Sequence, residues 1–208
     1  MVKIALVSYH KNAFGLYKKE WIDQYRESIL NQSYIEFNIY ELEYGGGYGR
    51  IFTNSNYHSK QFPSFVYALN YLLDCLFFMG YDFVFNTNVD DFYSPDWIEK
   101  EIAVAMKGYD IVSSNFALVK DGVITETHYF DKLDIPLELS NNHNIIAHPA
   151  VCYSKKFWEQ NRYIPEQIPL EDLMLWQRAI KNSKFIILPD VLLYHRLHSN
   201  SVCQSENK

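Results

Sequence analysis

The segment Phe83-Val84-Phe85-Asn86-Thr87-Asn88-Val89-Asp90-Asp91 constrains this chain most tightly. Bounded by Gly80 and Ser94-Pro95, its apolar start reads as a buried strand. The strand ends in side chains that carry oxygen ligands. Adjacent carboxylates repel unless something positive sits between them. A hard divalent cation answers that need, because Mg²⁺ takes one or two carboxylates and completes its shell with water and phosphate oxygens. The local chemistry therefore suggests a metal bridging to a diphosphate. The plain alternative is a polar turn, with Asp91 or Ser94 helping a helix to start.

Around that strand the chain alternates. Residues 3–8 form an apolar strand, followed by a loop at 9–12 and a helix with Trp21, Tyr25 and Ile29 on one face. Phe37–Glu43 reads as a second strand and 45–49 as a glycine-rich loop that lacks any Walker or dinucleotide fingerprint. Pro63 opens a helix that buries Phe65, Ala68, Leu69, Leu72, Leu73 and Leu76. Strand–helix alternation of this kind predicts a parallel α/β sheet. Ligands of such sheets bind beyond the carboxyl ends of the strands. Tyr9, Glu43 and Asp90 fall at such ends and so belong to one site.

The second half changes character. Residues 111–115 read as a strand, and 118–120 with 123–127 flank Asp121-Gly122, a hairpin turn signal. Residues 130–148 are polar and irregular and are placed to cover an acceptor; 148–153 read as a further strand. In Pro169-Leu170-Glu171-Asp172, a carboxylate pair enters the first turn of a helix that buries Leu173, Trp176 and Ile180. Acidic residues are common there because they meet the positive end of the helix dipole. The functional alternative is a carboxylate held as general base. Finally, an apolar strand over 188–195 runs into His195-Arg196-Leu197-His198. Arginine suits phosphate oxygens, and histidine suits metal or phosphate. Arg196 and His198 alternate along an extended chain and project to one side. The segment from His195 onward, including 204–208, is expected to close over a bound nucleotide diphosphate.

Composition narrows the classes. A chain of 208 residues with 48% hydrophobic content suits one domain. The formal charge of −6 argues against a nucleic-acid surface. Three cysteines, Cys75, Cys152 and Cys203, show no metal spacing, which fits a reduced, cytoplasmic setting. The opening residues read as a strand rather than a signal peptide, and no apolar run has the length of an integral membrane segment.

In this order, the three constellations resemble the GT-A glycosyltransferases, particularly the family 2-like inverting enzymes. The resemblance covers residues 3–201. It rests on Asn88-Val89-Asp90 at the place of an Asp-x-Asp metal motif and on Pro95-Asp96-Trp97-Ile98-Glu99 after it. It rests also on Glu171-Asp172-Leu173-Met174-Leu175-Trp176-Gln177-Arg178, and on Arg196-Leu197-His198-Ser199-Asn200-Ser201 near the end. The first motif departs from the family, since Asn88 offers an amide oxygen but no charge. The resemblance implies a single GT-A (nucleotide-diphospho-sugar transferase) domain with a mixed, mostly parallel central sheet flanked by helices. Residues 1–92 would bind the nucleotide sugar and 93–208 the acceptor.

The activity implied is a hexosyltransferase-type, metal-dependent transfer from a nucleotide-sugar donor, a UDP-sugar by preference, to a saccharide or glycan hydroxyl with inversion. Asp172 is the preferred base, with Glu171 as alternative or sugar contact. Asp90 is the principal ligand of Mn²⁺ or Mg²⁺, with Asn88 and His198 assisting. Tyr9, Glu43, Asn88, Asp91, Arg196 and His198 would contact the donor, with Arg196 and His198 on its diphosphate. A nucleotidyltransferase ranks lower, because the loop at 9–12 has no glycine run. A sugar- or nucleotide-binding module whose catalysis has lapsed is the non-enzymatic rival, kept open by Asn88.

Overall fold

Alternating side-chain direction along a wholly buried first strand divides the molecule. A computed structural model describes residues 2–47 and 49–199; Asn200, Ser201 and 204–208, part of the expected closing tail, lie outside the described residues. Strand β1 (Ile4–His10) turns Ala5, Val7 and Tyr9 to one face of the sheet and Ile4 and Leu6 to the other. On the first face pack α3 (Phe65–Phe78), α6 (Lys155–Gln160) and α7 (Glu171–Ala179). On the second pack α2 (Lys19–Leu30) and α4 (Trp97–Ala105). Covered on both faces, the central strands β1 and β4 open with continuous apolar runs, as buried parallel strands do.

The sheet has nine strands in the order β3-β2-β1-β4-β8-β6-β9-β5, with β7 paired to β6. These are β2 (Phe37–Glu43), β3 (Asn56–Ser59), β4 (Phe83–Thr87), β5 (Phe92–Tyr93), β6 (Ile111–Lys120), β7 (Val123–His128), β8 (Cys152–Ser154) and β9 (Phe185–Arg196). The pairings β3-β2-β1-β4 and β6-β9 are parallel, and β8 joins β4 to β6 antiparallel. The two longest pairings, β6-β9 and β1-β2, are parallel, so the expected mixed, mostly parallel sheet is present. The Asp121-Gly122 turn has φ of 51° and 81°, both left-handed, as a tight hairpin with the sheet's twist demands.

Several boundaries differ from the sequence reading. β1 runs through His10 because its pairing with β2 continues to Glu43. A short helix α1 (Ala13–Leu16) stands in the following loop, and α5 (Ile135–Ser140), capped by Asp134, interrupts the segment expected to be irregular. His148–Ala150 is a 3₁₀ turn and only Cys152–Ser154 is strand, since Pro149 has no N–H to give a ladder. β3 and β5 were not foreseen; both are short edge strands with weak patterns of their own.

Glu101 of α4 is fully buried, and its carboxyl oxygens make no hydrogen bond of good geometry. The Trp97 indole N–H and the Ser114 hydroxyl approach it and pull its carboxyl down, by less than burial lifts it. Burial pushes the Glu101 carboxyl well above the usual glutamate value. The folded state thus holds a proton that the unfolded state releases. Its contribution to stability is complete below the ordinary glutamate range and is lost as pH rises toward the folded value. Glu101→Gln should therefore melt with the wild type in acid and above it at about pH 8. Parallel melting curves across pH would show that Glu101 is ionised in the fold.

Candidate active site

A cavity of about 580 Å³ opens beyond the carboxyl ends of β1 and β4. Tyr9, Asn88 and Asp90 line it from the strand ends, and Glu171 and Asp172 from the start of α7. A larger, more open hollow of about 720 Å³ on the outer side of α3 and α6 holds none of these groups.

The turn after β4 is fastened to the end of β9. Asp91 is fully buried. Its carboxylate accepts from the Arg196 backbone N–H at 2.9 Å and lies 3.0 Å from His195 Nδ1. Burial raises the Asp91 carboxyl more than the His195 ring and the Arg196 amide bring it down. The Asp91 charge in turn pushes His195 up to about 9, which favours the protonated ring at neutral pH. Asp91 thus faces the protein, while His195 lines the cavity. β5 completes the junction, with Phe92 stacked on Tyr194 at 4.7 Å.

Asp90 points the other way. Its carboxylate Oδ2 lies 2.9 Å from His198 Nε2, and its carbonyl accepts from the Arg196 guanidinium. Arg196 also donates to Gln24 and lies over the rings of Trp21 and Phe92, at 5.6 and 4.9 Å. It is buried and does not line the cavity. His198 packs against Trp21 and Tyr17, with ring centroids 5.0 and 5.6 Å away. Among the described residues no group of three or more His, Cys, Asp or Glu side chains converges as a complete metal cage.

The carboxyl end of β2 is committed to backbone. Glu43 accepts from the N–H groups of Asn12, Gly45 and Gly47, at 3.2, 3.0 and 2.6 Å. Burial alone would raise its carboxyl, but these three donors outweigh that and lower it. A side chain at Gly45 would meet Lys11 and Glu43 at 2.7 and 2.9 Å, so this glycine allows the loops to close together. Glu43 itself does not line the cavity; Tyr44 and Lys11 do. Glu41 likewise binds the Ile51 and Phe52 N–H groups and the Ser55 hydroxyl.

Opposite the strand ends stands the pair from α7. Glu171 is buried and Asp172 half-buried. The Asp172 carboxylate accepts from the Leu173 N–H at 2.6 Å and from the Asn144 side-chain amide at 2.8 Å. His148, also lining the cavity, meets the Tyr163 hydroxyl at 2.9 Å. Burial lowers His148 against the opposing pull of Asp172, which favours the neutral ring. Tyr9 stacks on Phe65 and is held protonated by burial.

The cavity therefore gathers Tyr9, Asn88, Asp90, Glu171 and Asp172. His198 stands behind Asp90, while Glu43, Asp91 and Arg196 act on the protein itself. Sequence reasoning placed His195 in the C-terminal cluster without a partner or a site role, and did not select His148, Lys11 or Asn144. Only for His195 was there a signal, as a cation-capable residue at a strand end facing two adjacent carboxylates.

No family model matches this chain. It is 22% identical over 207 residues to the O-antigen biosynthesis glycosyltransferase WbnJ of Escherichia coli, covering 89% of this chain and 78% of that protein. Its structure is similar to S. aureus TarS 1-349 in complex with UDP-GlcNAc, with TM-score 0.72 at 14% identity, over 99% of this chain and 61% of that one. It is similar also to the mannosyltransferase PcManGT of Pyrobaculum calidifontis in complex with GDP-Man and Mn²⁺, with TM-score 0.65 at 13% identity, over 96% and 58%. The chain shares its fold with glycosyltransferases. It spans about three fifths of the length of the solved structures it matches.

The Asp91 junction should be visible in stability. Asp91→Ala leaves the half-buried His195 ring and the buried Arg196 amide without their acceptor, and should cost about 3 kcal/mol in urea unfolding. The His195 contribution is complete below its ordinary pKa of about 6.5 and is lost as pH rises through about 9. Wild-type stability should fall between these limits, and His195→Gln should flatten that fall. An unchanged slope in the variant would show that His195 is neutral in the fold.

Proposed function

We propose that this chain is a GT-A glycosyltransferase of the hexosyltransferase type. It moves a sugar from a nucleotide-sugar donor, a UDP-sugar by preference, to a saccharide hydroxyl with inversion. One observation carries the reading: a single cavity at the strand ends brings Asp90 and the Glu171-Asp172 pair together from distant parts of the chain. The similar structures with UDP-GlcNAc and GDP-Man support a nucleotide-sugar donor. In this reading the chain is one domain, with donor contacts before about residue 92 and acceptor contacts after it.

The residues suit a divalent ion. Asp90 Oδ2 and His198 Nε2 lie 2.9 Å apart. Asp90 and His198 would hold such an ion together, one as a carboxylate and the other through its ring nitrogen. Asn88 can add a neutral amide oxygen, leaving further positions for water and phosphate. Bound there, Mn²⁺ or Mg²⁺ would offset the charge that develops on the departing diphosphate. The Mn²⁺ in the mannosyltransferase complex supports this choice.

Asp172 is the base. It takes the proton from the acceptor hydroxyl as that oxygen bonds to the anomeric carbon. The bond from that carbon to the phosphate oxygen breaks, and its electron pair leaves on the diphosphate. Attack from the Asp172 side, opposite the leaving group, inverts the centre. Glu171 contacts the sugar. Tyr9 lines the donor side. Arg196 holds the Asp90 carbonyl and acts on the donor only through that turn. Asp91 and Glu43 position the loops.

Nucleotide release from UDP-sugars and GDP-mannose, assayed with a panel of saccharide acceptors, tests the reaction. Asp90→Ala and His198→Ala should abolish most Mn²⁺-dependent turnover and the Mn²⁺-dependent part of the thermal shift with UDP. Full turnover in excess chelator would remove the metal. Asp172→Asn should slow transfer roughly 100-fold with UDP affinity preserved. If Glu171→Gln is the inactive variant instead, the base is the other member of the pair. Tight UDP binding without release from any donor would mark a lapsed binding module.

A further inference from the structure

Residues 141–144, Asn-Asn-His-Asn, form an arch between α5 and the 3₁₀ turn at His148 that puts Asn142 and Asn144 in the cavity lining. The arch is tied to α7 at two points. Gln177 donates from its side-chain amide to the Leu139 carbonyl at 2.7 Å and to Asn142 Oδ1 at 2.9 Å. Asn142 has a φ of 61°, the left-handed conformation that asparagine tolerates better than most residues. Two residues on, Asn144 donates from Nδ2 to Asp172 Oδ2 at 2.8 Å. One arch thus touches α7 at its first turn and again at Gln177, near its last.

A carboxylate at the start of a helix can rotate about its side-chain torsions. Here Leu173 N–H holds Oδ1 and Asn144 holds Oδ2, so the plane of the group is fixed by one donor on each oxygen. Each oxygen keeps a second lone pair. Asn144 and Asp172 both line the cavity, so the acceptor meets a carboxylate whose direction is already set. An Asn–carboxylate bond is charge-assisted and stronger than a neutral one.

We infer that Asn144 is a positioning residue for the base, and that Gln177 secures the arch that carries it. The inference rests on the reading of Asp172 as base. It assigns acceptor-side activation to a loop rather than to α7 alone. Correct placement of a base to within a fraction of an ångström is worth orders of magnitude in rate, and a hydrogen bond to a charged group is a substantial part of that.

The test uses the donor–acceptor pair that gives the fastest nucleotide release. Asn144→Ala should lower kcat about 10-fold, with KM for the donor and affinity for UDP within about twofold. Gln177→Ala should lower kcat in the same direction and by less. The deciding measurement is the double variant. If Asn144 acts through Asp172, then adding Asn144→Ala to Asp172→Asn should cost almost nothing further. Equal losses in both backgrounds would overturn the inference, as would unchanged kcat in Asn144→Ala. A melting temperature close to wild type is expected for Asn144→Ala, because the residue is exposed. Should Asn144→Ala lose activity only through unfolding, Asn144→Ser, which keeps a shorter hydroxyl donor, must recover part of kcat; failure to do so in a folded protein counts against positioning. Wild-type activity in Asp172→Asn would instead defeat the base assignment itself, whatever Asn144 does.

Discussion

The buried carboxylate of Asp91 is the constraint on which the rest of the site depends. It gathers the His195 ring and the Arg196 N–H at the end of the last strand. Those contacts set β9 beside β5 and bring Arg196 onto the Asp90 carbonyl and His198 onto the Asp90 carboxylate. One fully buried charge would be costly alone. Paired with a ring pushed up to about 9, it becomes a fixed point between segments about a hundred residues apart in the chain. Asp90 is free to face the cavity because Asp91 does not.

The acidic residues divide by what their surroundings supply. Glu41 and Glu43 meet several backbone N–H groups and serve as loop anchors. Glu101 meets no backbone N–H, only the Trp97 and Ser114 side chains, and burial outweighs them and pushes its carboxyl up. Asp172 meets two donors at the rim of a cavity, which fixes its orientation and leaves it open to ligand. The same functional group thus acts as anchor, neutral core element or candidate base. Donor count and access to the cavity decide which, and sequence spacing does not.

Much of the architecture was legible. The apolar runs of β1, β2 and β4, with the helical spacing of α3, marked an α/β sheet, and Asp121-Gly122 marked its hairpin. α5 was hidden inside a polar stretch because only a few of its residues reach the core. β3 and β5 are edge pieces defined by their partners rather than by their own pattern. Among the candidate residues, Asp90, Asn88, Glu171, Asp172 and Tyr9 lie at strand or helix ends and line one cavity, the place where α/β folds bind ligands. Glu43 satisfied the same positional rule, yet the loop glycines use its oxygens. Arg196 matched a phosphate-binding pattern, yet its guanidinium packs between two aromatic rings.

The sequence alone determined the types of the main strands and helices, the sheet class and the chain positions where acidic and basic side chains emerge. These follow from hydrophobic period and from the local chemistry of turns. Tertiary structure decided which of the two adjacent aspartates faces the cavity, which histidine meets each, and that Asn144 reaches Asp172. Such choices depend on pairings between residues far apart in the chain, and no local pattern carries that register. A hydrogen bond between residues 91 and 195 exists only once the sheet has closed around it.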